Sequence, residues 1–290
     1  SRRGFLKLAA AGIGGLAIPW NSITAQADFP QHERLGRAFA KVEVKAKPNY
    51  DSQTVDVLYD DAVIPWLREV VGSHPYRFKQ RFVETSNGYI WASDLQPVQN
   101  LLNQPLEKLP TTSLGEGMWV EVTVPYVDVV LENKPISPGF KSRVEAGIPL
   151  RLYYSQILWV DRVRKDDSGK IRYRVNERFG YGDLMWADAQ AFRPLSQEEI
   201  SPISPEVEEK RIEVSLFDQT LTAYQGEQVV LHTTVSTGMP GGWLAEDEEI
   251  DEDWIDPETP QGQYHITVKK PSRHMGDGVI TDNPDAYELP

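Results

Sequence analysis

The chain has 290 residues, enough for two or three domains that each bury a core, so a single small scaffold is not expected. Its formal net charge of -13 repels nucleic-acid phosphates and anionic lipid headgroups, which argues against nucleic acid as a partner. It contains no cysteine, which excludes structural disulfides, thiolate metal sites and a cysteine nucleophile within these residues.

Residues 1–27 read as a targeting segment rather than as fold: Arg2-Arg3-Gly4-Phe5-Leu6-Lys7, a weakly apolar run to Ile18, then Ala25-Gln26-Ala27. The run from Leu8 to Trp20 is glycine-rich and shorter than a membrane span, which needs about 20 predominantly apolar residues. The segment resembles a twin-arginine export signal. That resemblance implies a protein sent folded to the cell envelope, periplasm or cell wall, touching membrane only through the signal if it is retained. With Ser1 in place of a methionine, the start is expected to be clipped.

Asp28 to Ala40 sets Leu35, Ala38 and Phe39 among charges, the pattern of a linker or short amphipathic helix. From Val42 onward the runs shorten and alternate. Val42–Val44, Val55–Tyr59 and Tyr76–Phe78 read as strands divided by Pro48-Asn49, Asn87-Gly88 and Pro97. A similar ending then appears twice. Tyr76–Phe82 matches Tyr173–Phe179, and Trp91 through Pro97 matches Trp186 through Pro194, with a turn at Gly88 or Gly182 and a proline expected to end the pairing. One module used twice is expected, over 41–105 and 106–195, and the first copy resembles bacterial SH3-like domains at Gly88-Tyr89-Ile90. Trp66, Trp91, Trp119, Trp159 and Trp186, with Tyr50, Tyr59, Tyr153 and Tyr154, suit either core packing or a ledge that stacks on sugar rings or peptide.

Residues 196–209 carry Pro202, Pro205 and several glutamates with little apolar surface, as a linker does. Beyond them Lys210–Leu216 alternates as a half-buried strand, Asp218-Gln219-Thr220 turns, and Leu221–Tyr224 returns to make a hairpin. Val229–Val235 runs into Ser236-Thr237-Gly238. A further strand is expected to resume after Thr259-Pro260-Gln261-Gly262, where Gly262 permits a positive φ.

Three ordered pieces, Ile212 to Leu221, Val235 to Gly238 and Thr259 to Tyr264, are similar to the opening half of L,D-transpeptidase catalytic domains. The resemblance covers roughly the last 80 residues. It implies acyl transfer between peptidoglycan stem peptides through a cysteine thioester, hence roles in wall biosynthesis and cell shape. A thiolate attacks a carbonyl, a histidine relays protons and backbone N–H groups hold the oxyanion. The family's histidine and Ser-His-Gly-Cys-type motif follow the matched segment, and neither occurs here. His32, His74, His232, His265 and His274 are all the histidines, and none precedes glycine. The expectation is therefore a domain over 210–290 cut short, with both catalytic residues beyond Pro290 and this stretch inactive by itself.

His232 and His265 fall in expected strands, where a structural imidazole is the ordinary role. Arg273 and His274, beside Lys269 and Lys270, are the candidate substrate-binding residues, because this basic patch suits stem-peptide carboxylates. The acidic run Glu246–Asp256 lacks calcium-loop spacing and reads as a solvated insertion, with Gly241-Gly242-Trp243 ahead of it as a possible lid hinge. No metal or organic cofactor is implied. The expected fold is mainly β: two small SH3-like barrels, then the first part of an L,D-transpeptidase-like sheet domain. A non-catalytic wall-binding protein, or a hydrolase or carboxypeptidase of the same family, remains the alternative.

Overall fold

A computed structural model describes residues 28–75, 79–178, 180–238 and 259–273, with the backbone of 275–276 and 288–289. The export segment, Tyr76–Phe78, the acidic run, the Gly241-Gly242 hinge and His274 lie outside the described residues. The protein is mainly β, in several antiparallel sheets. It divides into two compact units, Ser1–Ser196 with Lys270–Pro290, and Gln197–Lys269.

The first unit opens with β1 (Leu35–Ala38), β2 (Val42–Lys45), β3 (Thr54–Leu58), β4 (Val63–Pro65), β5 (Arg68–Val71), β6 (Arg81–Thr85), β7 (Gly88–Trp91) and β8 (Leu95–Val98). A 3₁₀ turn, Ala92–Asp94, joins β7 to β8. β3-β2-β7-β6-β5 form one sheet and β4-β1-β8 a second. β1 corrects the expectation of a linker or short helix over 28–40: all four of its residues are buried, Arg37 among them. The 85–88 turn needs its glycine, since a Cβ on Gly88, at φ +148°, would fall 2.4 Å from the Lys45 carbonyl oxygen.

After a small hairpin, β9 (Thr111–Thr112) and β10 (Gly115–Glu116), come β11 (Met118–Val122), β12 (Tyr126–Asp128), β13 (Val130–Leu131), helix α1 (Pro138–Ala146), β14 (Arg151–Tyr153), β15 (Ile157–Lys165), β16 (Ile171–Asn176), β17 (Leu184–Asp188) and β18 (Phe192–Pro194). The main sheet runs β13-β17-β16-β15-β11-β18. The helix starts where Ser137 caps the Phe140 N–H and Pro138 takes the first turn, and it stops at Gly147 with φ +67°. The buried Asp183 carboxylate accepts from the Ile136 and Ser137 N–H groups and fixes the entry to it.

The two modules share an ending, with corrections to the match: the pairing makes Tyr173 the counterpart of Val83 and Arg172 that of Phe82, not the Tyr76–Phe82 with Tyr173–Phe179 correspondence expected. In each, a strand pair leads through a 3₁₀ turn into an edge strand: Val83 faces Ile90 and Tyr173 faces Ala187, then Leu95 faces Ala38 and Phe192 faces Val122. The 3₁₀ turns place Trp91 opposite Asp188 in role and Tyr89 opposite Trp186, so the tryptophan-to-tryptophan match is slipped by two positions on the same face. Pro194 is the last residue of its strand, as expected, whereas Pro97 is followed by Val98, which still pairs with Leu35. Gly36 pairs with Pro97 and Val120 with Pro194, each proline lying in an edge strand whose outer side needs no donor. The first module also begins earlier than residue 41, because β1 is the counterpart of β11.

Of the aromatics, Trp66, Trp119, Trp159 and Trp186 are buried, while Trp91 is half-buried with the His74 ring stacked on it at 3.8 Å. Tyr50 and Tyr59 are exposed. Two core clusters form, and β1 with β8 serves both: Leu35 and Val98 pack with the second module's core, Ala38 and Leu95 with the first's.

One carboxylate ties the modules together. Asp61, with its side chain 8% exposed, accepts from Arg37 at 2.6 Å and from Arg151 at 2.7 Å. The Tyr153 hydroxyl donates to the same carboxylate at 3.3 Å, and the Arg37 guanidinium lies 4.1 Å over the Tyr153 ring. Arg37 also donates to Gln96, and Arg151 to Asp128. The Arg151 guanidinium is partly desolvated, yet its bonds to Asp128 and Asp61 push its pKa above the ordinary arginine value, so it stays charged.

A second charged layer covers the outer face of the main sheet. Arg172 sits between Asp166 and Asp188, and Arg174 between Asp161 and Glu132. Trp186 donates to Glu132 at 2.6 Å, and Arg164 lies 3.9 Å over its ring. The Ser168 hydroxyl, Arg172 and the Lys170 N–H hold the Asp166 carboxyl well below the usual carboxylate range. Burial alone would raise Asp161, but hydrogen bonds from Arg174 and Asn176 outweigh it and keep that carboxyl low as well.

Two outcomes follow from these charges. Asp61→Asn keeps the shape and the left-handed backbone, φ 64°, but removes the countercharge of the buried Arg37 and the partly buried Arg151. It is expected to cost about 3 kcal/mol in urea unfolding at pH 7, and a loss under about 1 kcal/mol would contradict that role. Asp166 and Asp161 have depressed folded pKa values, so their contribution is full above the unfolded value near 4 and is lost as pH falls through the folded one. The stability gap between the parent and Asp166→Asn should therefore narrow below about pH 4. A gap constant from pH 7 to pH 3 would rule out that account.

Candidate functional site

The second unit is built on β19 (Lys210–Ser215), β20 (Thr220–Gln225) and β21 (Gln228–Thr234), hydrogen-bonded in that order. The β19–β20 hairpin closes at Leu216–Gln219, where the Ser215 hydroxyl donates to Asp218 at 2.8 Å and accepts from the Asp218 N–H. The next turn uses Gly226 at φ +56°, and its N–H bonds the Glu209 carbonyl at 2.8 Å.

Register separates the two faces of this sheet. Arg211, Glu213, Thr222, Tyr224 and His232 share one face, and its polar groups satisfy each other. Arg211 bonds Glu213 at 2.9 Å and lies 3.9 Å over the Tyr224 ring, while Thr222 and the His232 Nδ1 are 2.9 Å apart. His232 thus has the structural partner expected of a strand histidine. Ile212, Val214, Leu221, Ala223 and Leu231 share the opposite face. Its large members stay half open among the described residues, with Ile212 at 54%, Val214 at 46% and Leu231 at 51% exposure.

The first two motif pieces meet at the Gln219 side chain. Its Nε2 donates to the Leu216 carbonyl and to the Thr237 hydroxyl, each at 2.6 Å. Its Oε1 accepts from the Thr237 N–H at 3.0 Å, and its own carbonyl accepts from the Val235 N–H at 2.8 Å. Next along the chain, the Gly238 N–H donates to the Thr259 hydroxyl at 2.8 Å. Residues far apart in sequence, 219, 237 and 259, are in this way stitched side by side. Gln219 holds φ 53°, a left-handed conformation that lets one amide serve the hairpin tip and the strand exit together.

The segment that follows departs from expectation. Residues 261–270 are exposed and carry no strand, so His265 is not a strand residue. Gly262 does adopt φ +152°, and the Tyr264 hydroxyl lies 3.3 Å from the Pro260 and Gln261 carbonyl oxygens. This local turn replaces the strand by spending Tyr264 on its own backbone. Arg273 is exposed and has no hydrogen bond or ion pair among the described residues. Among the described residues no group of three or more His, Asp or Glu is placed to hold a metal ion, and no helix is long and apolar enough to cross a membrane.

No protein-family model matches this chain, and no curated protein matches it. Sequence reasoning places Gln219 in a turn and as the glutamine of the run Ile-x-Val-x-Leu-x-x-Gln-x-Leu, but gives its side chain no partner. Its signal was present, a long amide side chain in a position that asks for a left-handed backbone.

Gln219→Ala should remove the amide bridge and leave the hairpin ladder in place. The Thr237 amide is expected to exchange with solvent about fivefold faster, the worth of one hydrogen bond near 1 kcal/mol. Amides within β19 and β20 should be unchanged, and equal exchange at Thr237 in both proteins would remove Gln219 as the junction.

Proposed function

We propose that residues 210–290 form the opening part of an L,D-transpeptidase-type catalytic domain, in an exported protein that rebuilds peptidoglycan by acyl transfer between stem peptides. The observation that supports this reading is a pair of links between the three pieces on which the resemblance rests: Gln219 joins the hairpin to Val-Ser-Thr-Gly, and the Gly238 N–H joins that piece to Thr-Pro-x-Gly. The half-open apolar face of the same sheet is consistent with it, since a sheet face rich in Ile, Val and Leu needs a second layer.

In this reading the nucleophile is a cysteine that these 290 residues do not contain. Its thiolate attacks a stem-peptide carbonyl and expels the terminal amino acid, and an acceptor amine then takes the acyl group from the thioester. Water in place of the amine gives a carboxypeptidase from the same intermediate. The paired modules upstream resemble SH3-like domains and would hold the wall polymer. Arg273 and His274 would meet stem-peptide carboxylates.

The reading is checked by the coding sequence downstream of Pro290. A histidine and a Ser-His-Gly-Cys-type motif are expected within about 60 codons. The protein extended through that motif should gain the mass of a covalently bound stem peptide, and replacing its cysteine by serine should abolish the gain. Absence of the motif would overturn the catalytic reading and leave a wall-binding protein.

A further inference from the structure

An aromatic anchor lies ahead of the first strand. Phe29 is 5% exposed and belongs to the core cluster of the second module, with Leu35, Val98, Val127 and Val160. Its ring meets Tyr126 of β12 edge-on, with centroids 5.0 Å apart and planes at 89°. The Arg151 guanidinium lies 3.9 Å over the same Tyr126 ring, and Asp61 and Asp128 hold Arg151 in place. Phe29 therefore rests on the network that fixes the two modules. The chain after it is held as well. Pro30 fixes its own φ, the Trp66 N–H donates to the Arg34 carbonyl at 2.9 Å, and β1 begins at Leu35.

This placement bears on the bond between Ala27 and Asp28. Ala25-Gln26-Ala27 is the small-residue pattern that a leader-removing peptidase reads, and that bond is the one it would cut. The step is hydrolysis: the Ala27 carbonyl carbon gains the water oxygen and becomes a carboxylate, the C–N bond breaks, and the Asp28 nitrogen leaves as an ammonium. The enzyme must draw chain from both sides of the bond into its cleft and bring its nucleophile to about 3 Å from the Ala27 carbonyl. Two residues of extended chain reach at most about 7 Å, so that carbonyl stands no farther than this from the Phe29 backbone. A docked Phe29 leaves only the exposed Asp28 between the bond and the core.

We propose that Phe29 is a latch on leader removal: in the folded protein the Ala27–Asp28 bond is cut only while Phe29 is out of the second module's core. The proposal rests on the reading of residues 1–27 as an export leader and requires nothing of the acyl-transfer reading. Burial of a phenylalanine ring limits the open form to about one molecule in ten at most. A leader on an already folded chain is then kept as a membrane tether until Phe29 undocks, whereas a leader on an unfolded chain is cut without that delay.

Leader removal by a purified bacterial leader peptidase in detergent micelles tests the latch, with mass spectrometry reading the new N-terminus. The substrates are the folded 290-residue chain, a synthetic peptide of residues 18–34, and the chain with a flexible Gly-Ser linker of about six residues inserted between Asp28 and Phe29. The peptide and the insertion variant should be cut after Ala27 at similar rates, and the folded parent at least about tenfold more slowly. Phe29→Ser should raise the parent's rate by about tenfold. If Phe29→Ser does not fold, the insertion variant decides the matter, because it keeps Phe29 itself. A parent cut as fast as the peptide would overturn the latch and leave the leader reading standing. No cut after Ala27 in the peptide would overturn the leader reading and the latch with it. An insertion variant as slow as the parent, with the peptide cut, would put the obstruction elsewhere and also overturn the proposal.

Discussion

A single buried carboxylate organises the first 196 residues. Asp61 receives one guanidinium from β1 in the first module and one from β14 in the second, and both arginines are largely removed from water. Such charges are costly to bury, and their attraction only compensates when every donor finds an acceptor. Here Gln96 takes the Nε–H of Arg37 and Asp128 that of Arg151, and the Tyr153 and Tyr126 rings cover the flat faces at 4.1 Å and 3.9 Å. The value of the arrangement is orientation. It fixes how two similar modules meet, and the shared strands β1 and β8 then let each contribute side chains to the other's core.

What the sequence made legible follows from where the physics is local. β2 alternates apolar and polar residues and buries only its apolar side, and β19 alternates in sequence although both its faces stay open among the described residues. β1 shows no such alternation. Its Arg37 reads as a solvated residue, and only Asp61 and Gln96, remote in sequence, make its burial possible. The repeat was visible because Pro97 and Pro194 truly correspond, but Trp91 and Trp186 do not. Residue identity misled there, since the 3₁₀ turns and not the indoles set the equivalence. Helix α1 was passed over although Ser137, Pro138 and Gly147 bracket it. Its apolar content is too slight to show a stripe, and none of its residues is buried.

The second unit shows the opposite balance. Its hairpin and motif pieces were readable, yet the side chain that joins the first two of them was not, because the Gln219 bridge depends on a turn conformation that spacing alone does not reveal. One face of its sheet satisfies itself through Arg211, Glu213, Tyr224, Thr222 and His232, so the remaining chemistry of that sheet lies on the half-open apolar face. Residues 261–270 carry no strand, and the Tyr264 hydroxyl bonds the Pro260 carbonyl instead, a local turn that spacing does not reveal.

The central claim is that the two modules behave as one cooperative body. Val83 and Tyr173 occupy equivalent, fully buried positions in β6 and β16, in different core clusters. Native-state hydrogen exchange of these two backbone amides, followed across increasing denaturant, reports whether their openings are shared. The account predicts the same opening free energy and the same denaturant dependence for both. Exchange of Val83 through a separate, lower-energy opening with a smaller denaturant slope would contradict it.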